Sequence, residues 1–333
     1  MTASQNVRFT GRRILITGAA RGIGAALARR LHARGVRLAL AGLEPEALSA
    51  VAAECDAPWR TLDVGDPAAT TAVVNELADE LGGLDAVVAN AGIAKQLPLV
   101  GGDPEALERM LRVNVLGVYH TLRAAGPHIS HPRGYALVVS SLAAAVHLPL
   151  LGAYSASKAA VEALGNTARI ELRPSGARVG VAYFAELDTE MTSRGFGTRA
   201  AEMLTGGGSL SRLTPLSAGI DALERGIARR SRRVFAPWWV GAVLPARPVA
   251  QRVVDRMGQR NLEAALAVAR EERVPFTTPQ PQAVPRAAPR VVPPARAEER
   301  PRPPREPAPE PAQPPASEGG RPEQPERTET DER

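Results

Sequence analysis

Arg13-Ile14-Leu15-Ile16-Thr17-Gly18-Ala19-Ala20-Arg21-Gly22-Ile23-Gly24 is a short apolar run closing in three glycines, and residues 25–34 after it have helical spacing. The order is strand, glycine turn, helix. Such a turn lets the backbone approach a pyrophosphate closely, and the helix N-terminus beyond it offers unpaired N–H groups to an anion. A glycine turn by itself would also serve as a tight connection. The strand before it and the helix after it are the context that the phosphate reading requires, which makes Gly18, Arg21, Gly22, Ile23 and Gly24 candidate cofactor-binding residues.

The alternation continues downstream. Apolar strand-like runs occupy residues 36–41, 60–64, 84–89, 136–140, 179–183 and 232–236, with helical spacing at 45–54, 104–125 and 151–172. Strands alternating with helices over this length imply a parallel sheet with helices on both faces, and ligands bind at the carboxyl ends of such strands. Gly18, Asp63, Asn90 and Ser141 fall at those ends. A carboxylate closing the second strand would accept ribose hydroxyls, whereas Arg would accommodate a 2′-phosphate. This chain has Gly42-Leu43-Glu44 there, so neither determinant sits cleanly, with Glu44 close by and Arg21 in the glycine turn. Asp63, followed by Val64, is placed to hydrogen-bond an adenine edge or to cap the helix starting near Pro67. Asn90-Ala91-Gly92 leaves room above the sheet for a ligand. Asn114, between Val113 and Val115, is expected to be buried and must be hydrogen-bonded, within the core or in a site.

In Tyr154-Ser155-Ala156-Ser157-Lys158 a phenol and an ammonium stand four residues apart, on one face of a helix. A phenol titrates near ~10 and transfers a proton poorly near neutrality unless a positive charge stabilises its phenolate. Two solvated surface residues would satisfy the same spacing. Lysine, however, occurs only at Lys95 and Lys158 in a chain that otherwise relies on arginine, and Ser141 lies thirteen residues before Tyr154 at a strand end.

The 333 residues, 44% hydrophobic, suffice for a large α/β domain plus an extension. The single Cys55 excludes an internal disulfide, and no signal-like run opens the sequence, so a cytoplasmic setting is expected. No apolar stretch approaches the ~20 residues that span a bilayer. The net charge of +6 raises the question of an anionic partner, but 4% aromatics argues against base-stacking surfaces, and no nucleic acid is expected.

Thr17-Gly18, Gly22-Ile23-Gly24, Asn90-Ala91-Gly92, Asn114, Ser141 and Tyr154 with Lys158, in this order, resemble the short-chain dehydrogenase/reductase family over roughly residues 10–236. The resemblance implies a Rossmann-type doubly wound α/β fold, NAD or NADP as cofactor, no metal, and hydride transfer between an alcohol and its carbonyl. It implies Tyr154 as general acid/base and Ser141 as hydrogen-bond donor to the reacting oxygen. Lys158 would lower the phenol's pKa and hold the nicotinamide ribose, and Asn114 would anchor a water leading from Lys158 to solvent. Gly18, Arg21, Gly22, Ile23, Gly24, Asp63, Val64, Asn90, Ala91, Gly92, Tyr154, Lys158 and Thr189 would contact the cofactor. Homo-oligomerisation is a further implication. One departure stands out: where the family has Pro-Gly, this chain has Phe184-Ala185, which puts the local loop path in question.

Arg21, with no carboxylate at Gly42, favours NADP over NAD; Glu44 favours NAD. Residues 142–153 are almost wholly apolar apart from His147, and residues 184–213 are glycine-rich like a lid, so an apolar alcohol, ketone or aldehyde is the expected substrate. The rival reading is a catalytically silent cofactor-binding sensor or scaffold that recruits partners through its tail. The domains expected are 1–236 for the dehydrogenase fold, 237–275 for a C-terminal helical extension and 276–333 for a disordered tail. Sixteen of the thirty prolines lie beyond Phe276, and no aromatic does. Trp238 and Trp239, in the extension, either pack on the sheet edge and lid or form an apolar lip beside Arg247, Arg252 and Arg256 that meets a membrane.

Overall fold

The structure, a computed structural model, describes residues 9–189, 198–205, 213–257 and 261–278. Among them, β1 (Arg13–Thr17), β2 (Arg37–Gly42), β3 (Trp59–Thr61), β4 (Ala86–Ala89), β5 (Tyr135–Val139), β6 (Arg178–Phe184) and β7 (Arg233–Ala236) form one parallel sheet in the order β3-β2-β1-β4-β5-β6-β7. Successive side chains leave opposite faces of a strand. In β1, Ile14 and Ile16 enter the core on one face and Leu15 enters the core on the other. Both faces are covered, which is why the strands read as unbroken apolar runs.

On the first face α1 (Gly22–His32) supplies Leu27 and Leu31, and α8 (Leu216–Arg229) supplies Leu223 and Ile227. The helix after β2, α2 (Pro45–Glu54), adds Leu48 and Val51 to that core. On the opposite face lie α3 (Pro67–Leu81), with Val74 and Leu77, and α5 (Gly117–Ile129), with Ile129. The strand order reverses between β1 and β4, opening a crevice at their carboxyl ends.

Some boundaries differ from expectation. The helix that caps at Pro67 uses Asp66, which accepts from the Ala68 and Ala69 N–H groups at 2.9 and 3.0 Å; Asp63 instead accepts from Gly65 N–H at 2.8 Å. The helix expected over 104–125 is α4 (Pro104–Met110), then a π-turn (Leu111–Leu116), then α5. A π-turn is a rare irregularity that concentrates at functional sites, and this one holds Asn114.

Beyond β7 the chain forms α9 (Val240–Val243), α10 (Arg247–Met257) and α11 (Leu262–Glu271). α11 packs on α7 (Arg199–Thr205), whose first N–H groups, Arg199 and Ala200, donate to the Glu272 carboxylate at 3.1 and 3.4 Å. The boundary drawn at 275 falls too early. Phe276 packs on the core and Thr277 is 2% exposed, because both have partners on the loop after β4. The rest of the expected tail, 279–333, lies outside the described residues, as do 190–197 and 206–212 of the glycine-rich lid.

Candidate active site

The glycine turn sits at the carboxyl end of β1 with Gly18 at φ 66° and Gly22 at φ 53°, conformations that L side chains rarely adopt. A Cβ on Gly24 would lie 2.2 Å from the Gly18 carbonyl oxygen, so α1 starts against the turn only because that position is glycine. Asn90 pins the turn from β4, donating Nδ2–H to the carbonyls of Thr17 and Gly18 at 3.0 and 3.1 Å. Thr17, quoted in the motif without a role, accepts from the Asn90 and Ala91 N–H groups at 3.2 and 3.3 Å. A helix N-terminus preceded by a turn in which Gly18 and Gly24 leave no room for a Cβ fits a pyrophosphate.

A cavity of about 1150 Å³ runs from this turn across the sheet end. Gly18, Arg21, Gly22, Ile23, Asp63, Val64, Asn90, Ala91, Gly92 and Thr189 line it, together with Ser141, Tyr154 and Lys158. Of the expected cofactor-binding residues only Gly24 is absent from the wall, where it shapes the turn from beneath. At the far end of the cavity the walls turn apolar, with Val146, Leu148, Leu151, Trp239, Val243 and Val254. Its volume exceeds the roughly 300–1,000 Å³ of a site for one drug-sized ligand, which suits a dinucleotide and a substrate together. Arg21 and Glu44 form an ion pair at the polar end.

Tyr154 and Lys158 project from one face of α6 (Gly152–Glu171) and are 8% and 5% exposed. Lys158 Nζ donates to the Val139 carbonyl at 3.0 Å and stands 5.6 Å from the centre of the Tyr154 ring. Burial pushes the phenol up to about 12, opposed by its hydrogen bond with Ser141, and burial pushes the lysine down to about 8. Desolvation dominates at the phenol, and Ser141 is the group that favours the phenolate. Ser141 also donates towards the Phe184 carbonyl at 3.4 Å and accepts from Ala143 N–H at 3.1 Å, which fixes its hydroxyl at the end of β5.

Asn114 is fully buried and satisfied: Oδ1 accepts from Ile93 N–H at 2.8 Å, and Nδ2 donates to the Ile93 carbonyl and to Ser157 Oγ, each at 2.9 Å. Ser157 Oγ–H donates to the Tyr154 carbonyl at 2.7 Å, and Ser140 donates to the Lys158 carbonyl at 2.8 Å. The motif reading missed both serines. Ser157 stands three residues after Tyr154, a spacing that places it on the same helix face. Gly92 separates Asn114 from Lys158, since a Cβ there would lie 3.3 Å from Asn114 Oδ1 and 3.4 Å from Lys158 Nζ.

The Phe184-Ala185 departure leaves the backbone unstrained. Ala185 is not among the described residues with positive φ, and its N–H extends the β6–β7 pairing by donating to the Ala236 carbonyl at 3.0 Å. His147 is exposed and outside the cavity wall; its backbone N–H and carbonyl are both engaged by the Gln251 amide of α10 at 2.8 and 3.0 Å.

The short chain dehydrogenase family model matches residues 12–200, more than half of the sequence. The chain belongs to the short-chain dehydrogenase family. An uncharacterized oxidoreductase of Mycobacterium tuberculosis is 32% identical over 244 residues, covering 71% of this chain and 92% of that protein. An L-2,3-butanediol dehydrogenase of Corynebacterium glutamicum is 34% identical over 195 residues, covering 54% of this chain and 76% of its own. Among solved structures, a short chain dehydrogenase from Burkholderia cenocepacia in complex with NADP superposes with a TM-score of 0.61 at 28% identity, covering 68% of this chain and 97% of that one. This short-chain dehydrogenase is accordingly an oxidoreductase that acts on a CH–OH group or a carbonyl with NAD or NADP.

Proposed function

We propose that the protein interconverts an apolar alcohol and its ketone or aldehyde, with Tyr154 as general acid/base. The observation that carries this is the convergence of Ser141, Tyr154 and Lys158 on a cavity with a phosphate cradle at one end and an apolar wall at the other. When bound, the nicotinamide supplies or accepts the hydride. In reduction Tyr154 gives its phenolic proton to the carbonyl oxygen, while Ser141 donates a hydrogen bond to that oxygen as negative charge grows on it. The ammonium of Lys158 stabilises the phenolate left behind, and the remaining acceptor site of Asn114 Oδ1, across Gly92, would hold a water that reprotonates it. In oxidation the same atoms run in reverse. A catalytically silent sensor has no evident need for all four side chains. Turnover of NADPH and NADH with ketones and aldehydes of graded apolar size tests the proposal: no oxidation of either cofactor with any of them would refute it.

NADP is the proposed preference, resting on Arg21 and the missing side chain at Gly42. Glu44 moderates it, because its carboxylate already pairs with Arg21 and would repel a 2′-phosphate.

We also propose that the substrate enters from an anionic membrane surface. Trp239 lines the cavity, as a packed aromatic should, but Trp238 is 83% exposed. On α10, Val249 and Val253 are 63% and 50% exposed, and Arg252 and Arg256 stand exposed beside them. Val253 and Arg256 also line the cavity, so this surface borders it. No helix among the described residues is long and apolar enough to cross a membrane. Sedimentation with phosphatidylserine vesicles, wild type against Trp238→Ala, should show binding that the variant loses. Wild type left in the supernatant would refute it. A homo-oligomer and a cytoplasmic setting remain proposals, supported by exposed Leu116, Tyr119 and Ile170 and by the buried free thiol of Cys55.

A further inference from the structure

Ile93 and Ala94, directly after Asn90-Ala91-Gly92, are gripped from two sides. Asn114 takes both backbone groups of Ile93, as described above. Thr277 takes both backbone groups of Ala94, 183 positions away in sequence: its N–H donates to the Ala94 carbonyl at 3.0 Å, and its Oγ1 accepts from the Ala94 N–H at 2.9 Å. Ile93, Ala94, Asn114 and Thr277 are all 3% exposed or less, and Ile93 and Thr277 also line the cavity, so these four bonds lie at the edge of the candidate active site. Phe276 holds the same segment from outside. Its ring centre lies 5.2 Å from Lys95 Nζ, and 5.9 Å from the guanidinium of Arg109, on the helix that leads into the π-turn of Asn114.

The residue before this clamped pair is Gly92, which sets the separation of Asn114 from Lys158. We propose that Thr277 is a positioning residue for the Asn114–Lys158 side of the active site, acting through the Ala94 backbone; this rests on the oxidoreductase reading above. Thr277 lies well beyond residues 12–200, where the family model matches, so the device belongs to this chain's C-terminal extension. Asn114 alone would still hold Ile93, but the Ala94 N–H would lose its acceptor and the segment its second anchor.

The test uses two variants of the full-length protein. Thr277→Val keeps the volume and the backbone donor and removes the acceptor, whereas Thr277→Ser keeps the acceptor. Hydrogen exchange of the peptide covering residues 90–97 should quicken by roughly ten-fold in Thr277→Val and stay at the wild-type rate in Thr277→Ser. In reduction of cyclohexanone and benzaldehyde with NADPH and NADH, Thr277→Val should lower kcat roughly ten- to hundred-fold, the scale of a displacement near 1 Å, with the cofactor KM unchanged. Thr277→Ser should restore it. Unchanged exchange in Thr277→Val overturns the clamp, and faster exchange with unchanged kcat overturns its role in positioning. So does equal damage in the serine variant. If the wild-type protein reduced neither carbonyl, the proposed apolar-carbonyl substrate reading would fail for them, and the exchange comparison would still decide the clamp.

Discussion

Lys158 Nζ stands 5.6 Å from the centre of the Tyr154 ring, and the two groups are displaced by burial in opposite senses, the phenol up to about 12 and the ammonium down to about 8. Each is held towards its neutral form because both have left water. The cation that should assist proton transfer is thus itself close to losing its proton near neutrality.

Reductive kcat/KM should therefore fall as pH rises through about 8, the point at which Lys158 loses its charge. Below that pH the lysine is charged and the phenol neutral, as an acid in reduction must be. A profile measured from pH 6 to 10 that stays flat across this range would contradict the role given to Lys158.

The same displacement is a statement about stability. A lysine whose pKa is lowered by folding binds fewer protons folded than unfolded between about 8 and its ordinary 10.5, so its burial cost is full below about 8 and disappears above 10.5. Lys158→Met should stabilise the fold at pH 7 by about 2 kcal/mol, less than the full linkage value because the Val139 carbonyl loses its donor. The gain should shrink as pH rises, while turnover and cofactor binding are both damaged. Melting curves at pH 7 and pH 10 check the sign.

Tyr154→Phe should abolish turnover, at least about a thousand-fold, with cofactor affinity nearly unchanged, since only the ionisable oxygen is lost. Fluorescence titration with reduced cofactor beside initial rates separates the two effects. Retained activity would remove Tyr154 from the chemistry.

At the polar end of the cavity, Glu44→Gln should strengthen NADPH binding relative to NADH by about five- to twenty-fold. It removes the carboxylate that pairs with Arg21 and the charge that repels a 2′-phosphate. Parallel titrations of wild type and variant with both reduced cofactors read this directly, and an unchanged ratio would mean that Arg21 does not meet the phosphate.

Truncation separates the body from the tail more narrowly than composition suggests. A chain ending at Pro275 lacks Phe276 and Thr277 and should melt lower by several degrees, consistent with a loss of roughly 2 kcal/mol. A chain ending at Thr278 should match full length. Equal melting temperatures for the two truncated chains would show that the contacts with Ala94, Lys95 and Arg109 contribute nothing.

Much of the site was legible because its parts are local in sequence. Gly18, Gly22 and Gly24 declare a turn by composition, and Tyr154 and Lys158 share a face through helical spacing alone. The strand ends placed Ser141 and Asn90 at one edge, since apolar runs separated by helical segments admit few sheet arrangements. The expectation that Phe184-Ala185 would disturb the loop had a sound basis in backbone freedom, yet the observed path needs no left-handed residue there.

What remained hidden depends on contacts between distant residues. Sequence by itself determined the doubly wound sheet, the glycine turn and the shared helix face of Tyr154 and Lys158, because each rests on periodicity or short spacing that the backbone obeys locally. Only the tertiary structure decided that Arg21 is engaged by Glu44, that desolvation dominates at Tyr154 and Lys158, and that Thr277 closes on Ala94. Burial, and the partner that a polar group finds once buried, belong to the packed chain and have no counterpart in any stretch of it.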